Sequence, residues 1–267
     1  MRIGRIGYIN CAPVYGAIDR GIVALPAGSE LVTGTPAELN DLLVAGGLDL
    51  SVISAVEYAH HASDLVLLPD LAISCDGPVR SVALFSKRPV AELERQTVLL
   101  SASSRTSVAL LELLFRHVWK VAPAFAQARA EPADLDALAT LPHEAVLVIG
   151  DAALALNARG AYAHRYDLGA EWKQWTGLPF VFAVWAAQRS ADPDAVHRCH
   201  DALIASRAWG LQHLDLLAED AFQATGVAAR ACRAYLRGLD YALTPEHLAG
   251  LTEFFHRVAV LQFLQVA

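Results

Sequence analysis

Short apolar runs alternate along the chain with stretches whose apolar residues recur at helical spacing. Residues 5–9 predict a strand almost at the start. Thr35-Pro36-Ala37-Glu38 predicts a helix start. Thr35 suits the cap, Pro36 the first helical position, and Glu38 completes a capping box. Leu39, Leu42 and Leu43 give that helix an apolar face, and Gly46-Gly47 ends it. Residues 48–53 predict the next strand. Ser54-Ala55-Val56-Glu57 reads as a second capping box, opening a helix to about residue 61. Residues 66–69 and 71–74 are short and extended, residues 75–78 form a turn, and residues 79–86 alternate as a long strand.

After Lys87-Arg88-Pro89 the alternation starts again. Residues 96–101 predict a strand and residues 106–120 a helix, faced by Val108, Leu111, Leu114, Phe115 and Val118. Residues 145–149 predict a buried strand, Gly150-Asp151 the next helix start, and residues 178–187 a long apolar strand. Beyond Asp192-Pro193 the pattern is helical, over about 193–213, 215–224, 228–237 and 245–264. Strands separated by helices imply an α/β protein with mostly parallel sheets. Two such sets predict two lobes: residues 1–87 with 184–267, and residues 88–183. The expected ligand position is the cleft between them, beyond the carboxyl ends of the strands.

Composition narrows the class. The chain has 267 residues, 55% hydrophobic and 18% charged, enough for a sizeable core. Its formal net charge of −7 argues against a broad nucleic-acid surface. The first ten residues lack the apolar segment of a signal peptide, and no apolar run is long enough to span a membrane. The run 258–267 reads as a buried helix end. Cys11, Cys75, Cys199 and Cys232 form no CxxC pair and read as reduced, mostly buried thiols. The expected location is the cytoplasm.

Four predicted strand-to-helix turns carry small polar residues: Tyr8 to Pro13 with Asn10, Val52 to Glu57 with Ser54, Leu100 to Ser107 with Ser104, Arg105, Thr106 and Ser107, and Ile149 to Ala152 with Asp151. A helix N-terminus carries unpaired N–H donors and about half a positive charge, which suits a carboxylate or phosphate. Any one of these turns is explained by plain N-capping. Four together favour a small organic anion. Glu57 reads as structural from its spacing. Asp151 reads as a cap, a ligand contact, or both. The aromatic run Trp172-Lys173-Gln174-Trp175 serves either as a wall for a ring-shaped ligand or as packing. Dinucleotide, P-loop, HExxH and GxSxG patterns are absent. His60 and His61 are adjacent and face different ways on a helix, and His197/His200 lack an acidic or sulfur partner at clear spacing, so no metal is expected.

Five segments together resemble the chorismate dehydratase family of menaquinone biosynthesis: Ile6 to Pro13, Cys75-Asp76-Gly77-Pro78-Val79-Arg80-Ser81, Ser104 to Val108, Ile149 to Leu154, and Trp172 to Trp185. The resemblance implies a two-lobed fold like the type II periplasmic binding proteins, with a helical C-terminal part, used inside the cell as an enzyme. It implies conversion of chorismate to 3-[(1-carboxyvinyl)oxy]benzoate, in the futalosine route to menaquinone, with no cofactor. A sister enzyme of that route opens with a Cys-Pro-Asn-Asp type of turn, which this chain lacks.

The dehydration removes a ring proton beside the ether linkage and expels the ring hydroxyl as water, and the ring becomes aromatic. On this reading Asn10 and Ser81 bond near the reacting centre, Ser81 either polarising the leaving hydroxyl or holding a carboxylate. Ser104, Thr106 and Ser107 bind a carboxylate, as do Arg80 and Arg105 unless they face solvent. Ser54 contributes from its turn, and Asp151 orients a hydroxyl or caps. No strong protein base stands out, so the substrate's side-chain carboxylate is the expected proton acceptor. The competing expectation is a non-catalytic solute-binding or ligand-sensing protein for an organic acid.

Overall fold

The computed structural model describes residues 1–266. Its strands are β1 (Arg2–Ile6), β2 (Glu30–Gly34), β3 (Leu50–Ser54), β4 (Leu65–Cys75), β5 (Val82–Ser86), β6 (Thr97–Ser101), β7 (Ala124–Ala128), β8 (Ala145–Ile149), β9 (His164–Asp167) and β10 (Phe180–Gln188). They form two five-stranded sheets, ordered β2-β1-β3-β10-β4 and β7-β6-β8-β5-β9. The helices are α1 (Ala12–Asp19), α2 (Pro36–Val44), α3 (Ala55–His60), α4 (Arg105–Leu114), α5 (Leu135–Thr140), α6 (Gly150–Arg159), α7 (Leu168–Thr176), α8 (Pro193–Gln212), α9 (Leu214–Thr225), α10 (Ala229–Arg237) and α11 (Pro245–Val266). The chain divides into two compact units, residues 1–74 with 181–244, and residues 75–180 with 245–267.

Both sheets are mixed rather than mostly parallel. In the first unit β1 pairs parallel with β2 and β3, and β10 runs antiparallel to β3. In the second unit β6 pairs parallel with β7 and β8, while β5 runs antiparallel to β8 and β9. A strand that reaches its sheet without a crossover helix is free to enter in the opposite sense. Both β5 and β10 do so.

The division also falls elsewhere than at Lys87-Arg88-Pro89. Strand β5 lies inside the second sheet, with Val82 opposite Ile149, so residues 75–87 belong to the second unit. Helix α11 joins it too. Phe254 is fully buried and meets Trp172 and Phe180 edge-on, with ring centroids 6.1 and 5.0 Å apart. The Arg257 guanidinium stacks 4.0 Å from the Trp175 ring centre. These apolar and cation–π contacts hold the last helix to the segment before β10. Of the helix end expected at residues 258–267, Val258 is buried, and the side chains from 260 onward lie outside those described.

Local signals act as the residue types dictate. Thr35 accepts the Glu38 N–H, and the Glu38 carboxylate accepts the Thr35 N–H at 2.8 Å, so the first capping box forms. The second does not. Ser54 makes no cap bond, and α3 stops after six residues. Strand β1 begins three residues earlier than expected, because residues 9–11 are already a 3-10 turn leading into α1. Strands β2, β7 and β9 carry no clear apolar alternation; pairing along a sheet edge makes them strands. All four cysteines are buried, and none forms a disulfide among the described residues. No helix among the described residues is long and apolar enough to cross a membrane.

Helices α1 and α8 cross in the first unit at Gly210. A Cβ there would lie inside the Pro13 carbonyl group. Both contacting parts are backbone, so the only relief is to separate the helices. G210A should lower unfolding stability by ~1–3 kcal/mol, the usual cost of overpacking, read as the urea midpoint at unchanged m-value. An unchanged midpoint would contradict the close crossing.

Candidate functional site

The second sheet gathers polar turns on one edge. Strands β6 and β8 run the same way and β5 the opposite way, so the ends of β6 and β8 share an edge with the start of β5. Strand β9 ends there as well, with Asp167 opposite Ala83. Along the order β6-β8-β5-β9 this edge carries residues 101–107, then Gly150-Asp151, then residues 79–81, then Asp167. Neighbouring strands lie ~4.8 Å apart, so the row covers ~14 Å. Seven of the nine expected site residues therefore come together in this unit.

Ser104 caps α4, its hydroxyl oxygen accepting the Ser107 N–H at 3.2 Å. That bond leaves the Ser104 hydroxyl hydrogen available to donate. Ser104, Thr106 and Ser107 are all buried, and Arg105 is half-buried. A ten-residue helix thus opens with hydroxyls set among its first N–H groups, the arrangement that receives a carboxylate. Helix α6 begins at Gly150, whose φ of 59° turns the chain from β8 into the helix. Asp151 is buried in its first turn, with Ile149 at the cap position.

Ser81 is 3% exposed, one residue before β5. The Arg80 side chain is exposed. Its backbone is left-handed, with φ 68°, which is why β5 starts at Val82 instead of residue 79. Asp167 stands behind this turn and accepts the Val79 and Arg80 N–H groups at 2.9 and 2.7 Å.

In the first unit, Ser54 is the last residue of β3, and Asn10 stands beyond the end of the adjacent parallel strand β1. The Asn10 Oδ1 is buried and has no hydrogen-bond partner within the protein. A buried acceptor left open costs ~1–3 kcal/mol. Such an atom is suited to a ligand that brings a donor. The Ser54 hydroxyl, read from sequence as a cap, instead accepts a bond from Asn40 Nδ2 at 2.9 Å, and Asn40 Oδ1 accepts the Ser54 N–H at 3.1 Å. Glu57, also buried, pairs with His61 at 3.2 Å. This supports the structural reading of Glu57.

The aromatic run resolves toward packing. Trp172 is fully buried, donates its indole N–H to the Pro179 carbonyl at 3.2 Å, and meets Trp175 edge-on. His200 lies 2.8 Å from the Pro69 carbonyl, and His197 pairs with Asp201. Among the described residues no three potential ligands gather as a metal site would need.

Three buried or half-buried residues escaped the sequence reading: Asn40, Asp167 and Glu131. Glu131 accepts the Ser103 hydroxyl at 2.5 Å, bracing the loop ahead of α4. Each acts through a neighbour distant in sequence. Only Asp167 left a local trace, as a cap for α7.

Comparison with solved structures shows the fold. A protein of Archaeoglobus fulgidus superposes with a TM-score of 0.81 at 17% identity, covering 98% of this chain and 97% of its own. The periplasmic aliphatic sulphonate binding protein of Escherichia coli gives 0.67 at 16% identity, covering 98% of this chain and 87% of its own. The fold is that of the periplasmic binding proteins. In sequence, a chorismate dehydratase of Thermus thermophilus is 34% identical over 267 residues, 94% of this chain and 93% of the relative. One of Campylobacter jejuni is 28% identical over 187 residues, 68% of this chain and 66% of the relative. The model of the family described as menaquinone biosynthesis matches residues 1–260, and the chain belongs to that family.

Proposed function

We propose that this protein is a chorismate dehydratase, a hydro-lyase acting without a cofactor in the cytoplasm. On this reading it forms 3-[(1-carboxyvinyl)oxy]benzoate in the futalosine route to menaquinone. The observation that carries the reading is the polar edge of the second sheet, where the hydroxyl-rich start of α4 and the first turn of α6 lie beside Ser81. Its support in sequence is the Thermus thermophilus relative, which extends over nearly the whole chain.

Chorismate is a dicarboxylate with a ring hydroxyl. The α4 turn, through Ser104, Thr106, Ser107 and the Arg105 guanidinium, takes one carboxylate. Arg80, exposed beside Ser81, pairs with the second carboxylate. Asn10 Oδ1 is an open acceptor for a substrate hydroxyl. Ser81 donates to the leaving oxygen, and Asp151 orients the substrate. Ser54, tied to Asn40, shapes its turn and meets substrate through its remaining donor.

Fixed donors contribute by orientation and by stabilising charge where it develops, ~3–4 kcal/mol for a well-placed donor. Proton abstraction feeds electron density toward the ring carboxylate. The leaving hydroxyl takes up the proton removed from the ring and departs as water, which discharges the carbanion and makes the ring aromatic; both carboxylates end ionised as they began. Glu57 is buried and engaged with His61, which fits the structural role given to it. The enolpyruvyl carboxylate of the substrate takes the proton.

Purified protein incubated with chorismate should release an aromatic enolpyruvyl product without added metal or cofactor, followed by chromatography and mass spectrometry. No product, together with tight binding of another organic acid, would replace the enzyme reading with a solute-binding one. T106V and S107A should each raise KM by ~10-fold or more through loss of a charge-assisted bond. E57Q and D151N should keep kcat within ~10-fold of wild type. Collapse of kcat in either, with substrate binding intact, would instead identify a protein base.

A further inference from the structure

The turn that carries Ser81 is built unlike the others on its edge. Arg80 holds a left-handed backbone, which a residue with a side chain rarely adopts, and it does so beside a buried serine. Such a conformation persists only where its surroundings over-determine it. Here one carboxylate does so. Asp167, 8% exposed, takes four donors. Its Oδ1 accepts the N–H groups of Val79 at 2.9 Å and Ala170 at 3.2 Å. Its Oδ2 accepts the Arg80 N–H at 2.7 Å and the Arg165 guanidinium at 3.0 Å. The same Arg165 nitrogen donates to the Arg80 carbonyl at 2.8 Å. The peptide units on both sides of the Arg80 α-carbon are therefore held.

A second contact presses the turn from behind. A Cβ on Gly169 would lie 2.5 Å from the Gly77 carbonyl oxygen and 2.6 Å from the Cys75 sulfur. The start of α7 thus abuts residues 75–79 at backbone distance, with Asp167 as its cap. Strand β5 leaves this turn in register with β9, Ala83 opposite Asp167, so the clamp and the strand fix the same short segment from two directions.

We infer that Asp167, braced by Arg165, is a positioning residue for Ser81: it locks the Val79–Arg80 turn so that the Ser81 hydroxyl is held in one orientation at the sheet edge. The inference rests on the dehydratase reading and on the role given there to Ser81. Asp167 itself touches no substrate atom. Its effect passes through the backbone of Val79 and Arg80.

The test is chorismate turnover by wild type, D167N, R165A, S81A and the doubles S81A/D167N and S81A/R165A. An asparagine has one acceptor atom, so D167N turns an amide N–H₂ toward one pair of donors and releases half the clamp. It should lower kcat by ~10–100-fold, the scale of a misplaced catalytic group, with KM changed less than threefold. R165A loosens the clamp from its outer side and serves if D167N does not fold. It should lower kcat by ~3–10-fold, the smaller loss expected when one of two braces goes. In the S81A background either change should cost less than twofold more, because the group being positioned is gone. Equal losses with and without Ser81, or a kcat within twofold of wild type for a folded D167N and for R165A, would overturn the inference and leave the dehydratase reading standing. Absence of turnover in wild type would overturn that reading and Ser81's role with it.

Discussion

A backbone N–H with no partner is the constraint that organises this protein's site. Each helix leaves its first N–H groups without intrahelical acceptors. Where a strand feeds directly into a helix, those donors face the sheet edge. Ser104 satisfies one of them by accepting the Ser107 N–H and retains a hydrogen to donate. The start of α6 has no side-chain cap, and a left-handed glycine delivers the chain into its first turn. Donors that secondary structure cannot satisfy are thereby set where an anion can use them.

The two units answer that constraint differently. In the second, four strand ends converge in one row, and the strand that carries Ser81 enters against the direction of its neighbour β8. That reversal brings the beginning of β5 beside the ends of β6 and β8. A parallel β5 would have carried Ser81 to the opposite edge. In the first unit, the neighbouring parallel strands β1 and β3 bring Asn10 and Ser54 to a common edge. There Asn40 takes up the polar groups of Ser54, and the Asn10 carbonyl oxygen stays open. An open buried acceptor lowers stability, and a functional site is where such a cost persists.

Much of this was legible in the chain itself. The Thr35–Glu38 capping box, the strand at 145–149 and the four helices after residue 192 follow from patterns a few residues long, and the structure places them there. The Ser54–Glu57 box has the same spacing as the first, yet it fails, because Asn40 and His61 offer each side chain a partner from elsewhere. Edge strands β2, β7 and β9 were hidden, since partly exposed strands lack the apolar alternation that marks buried ones.

By itself the sequence determined the α/β class, the polar character of the turns and, through five short segments, the family. Those depend on residue type and spacing, which are local. Tertiary structure alone decided which sheet β5 joins, that α11 packs with the second unit, and that a carboxylate at 167 holds the turn at 79–81. Each of these joins residues tens of positions apart or more. Their pairing follows from which surfaces can be buried together, and no short window of the chain carries that information.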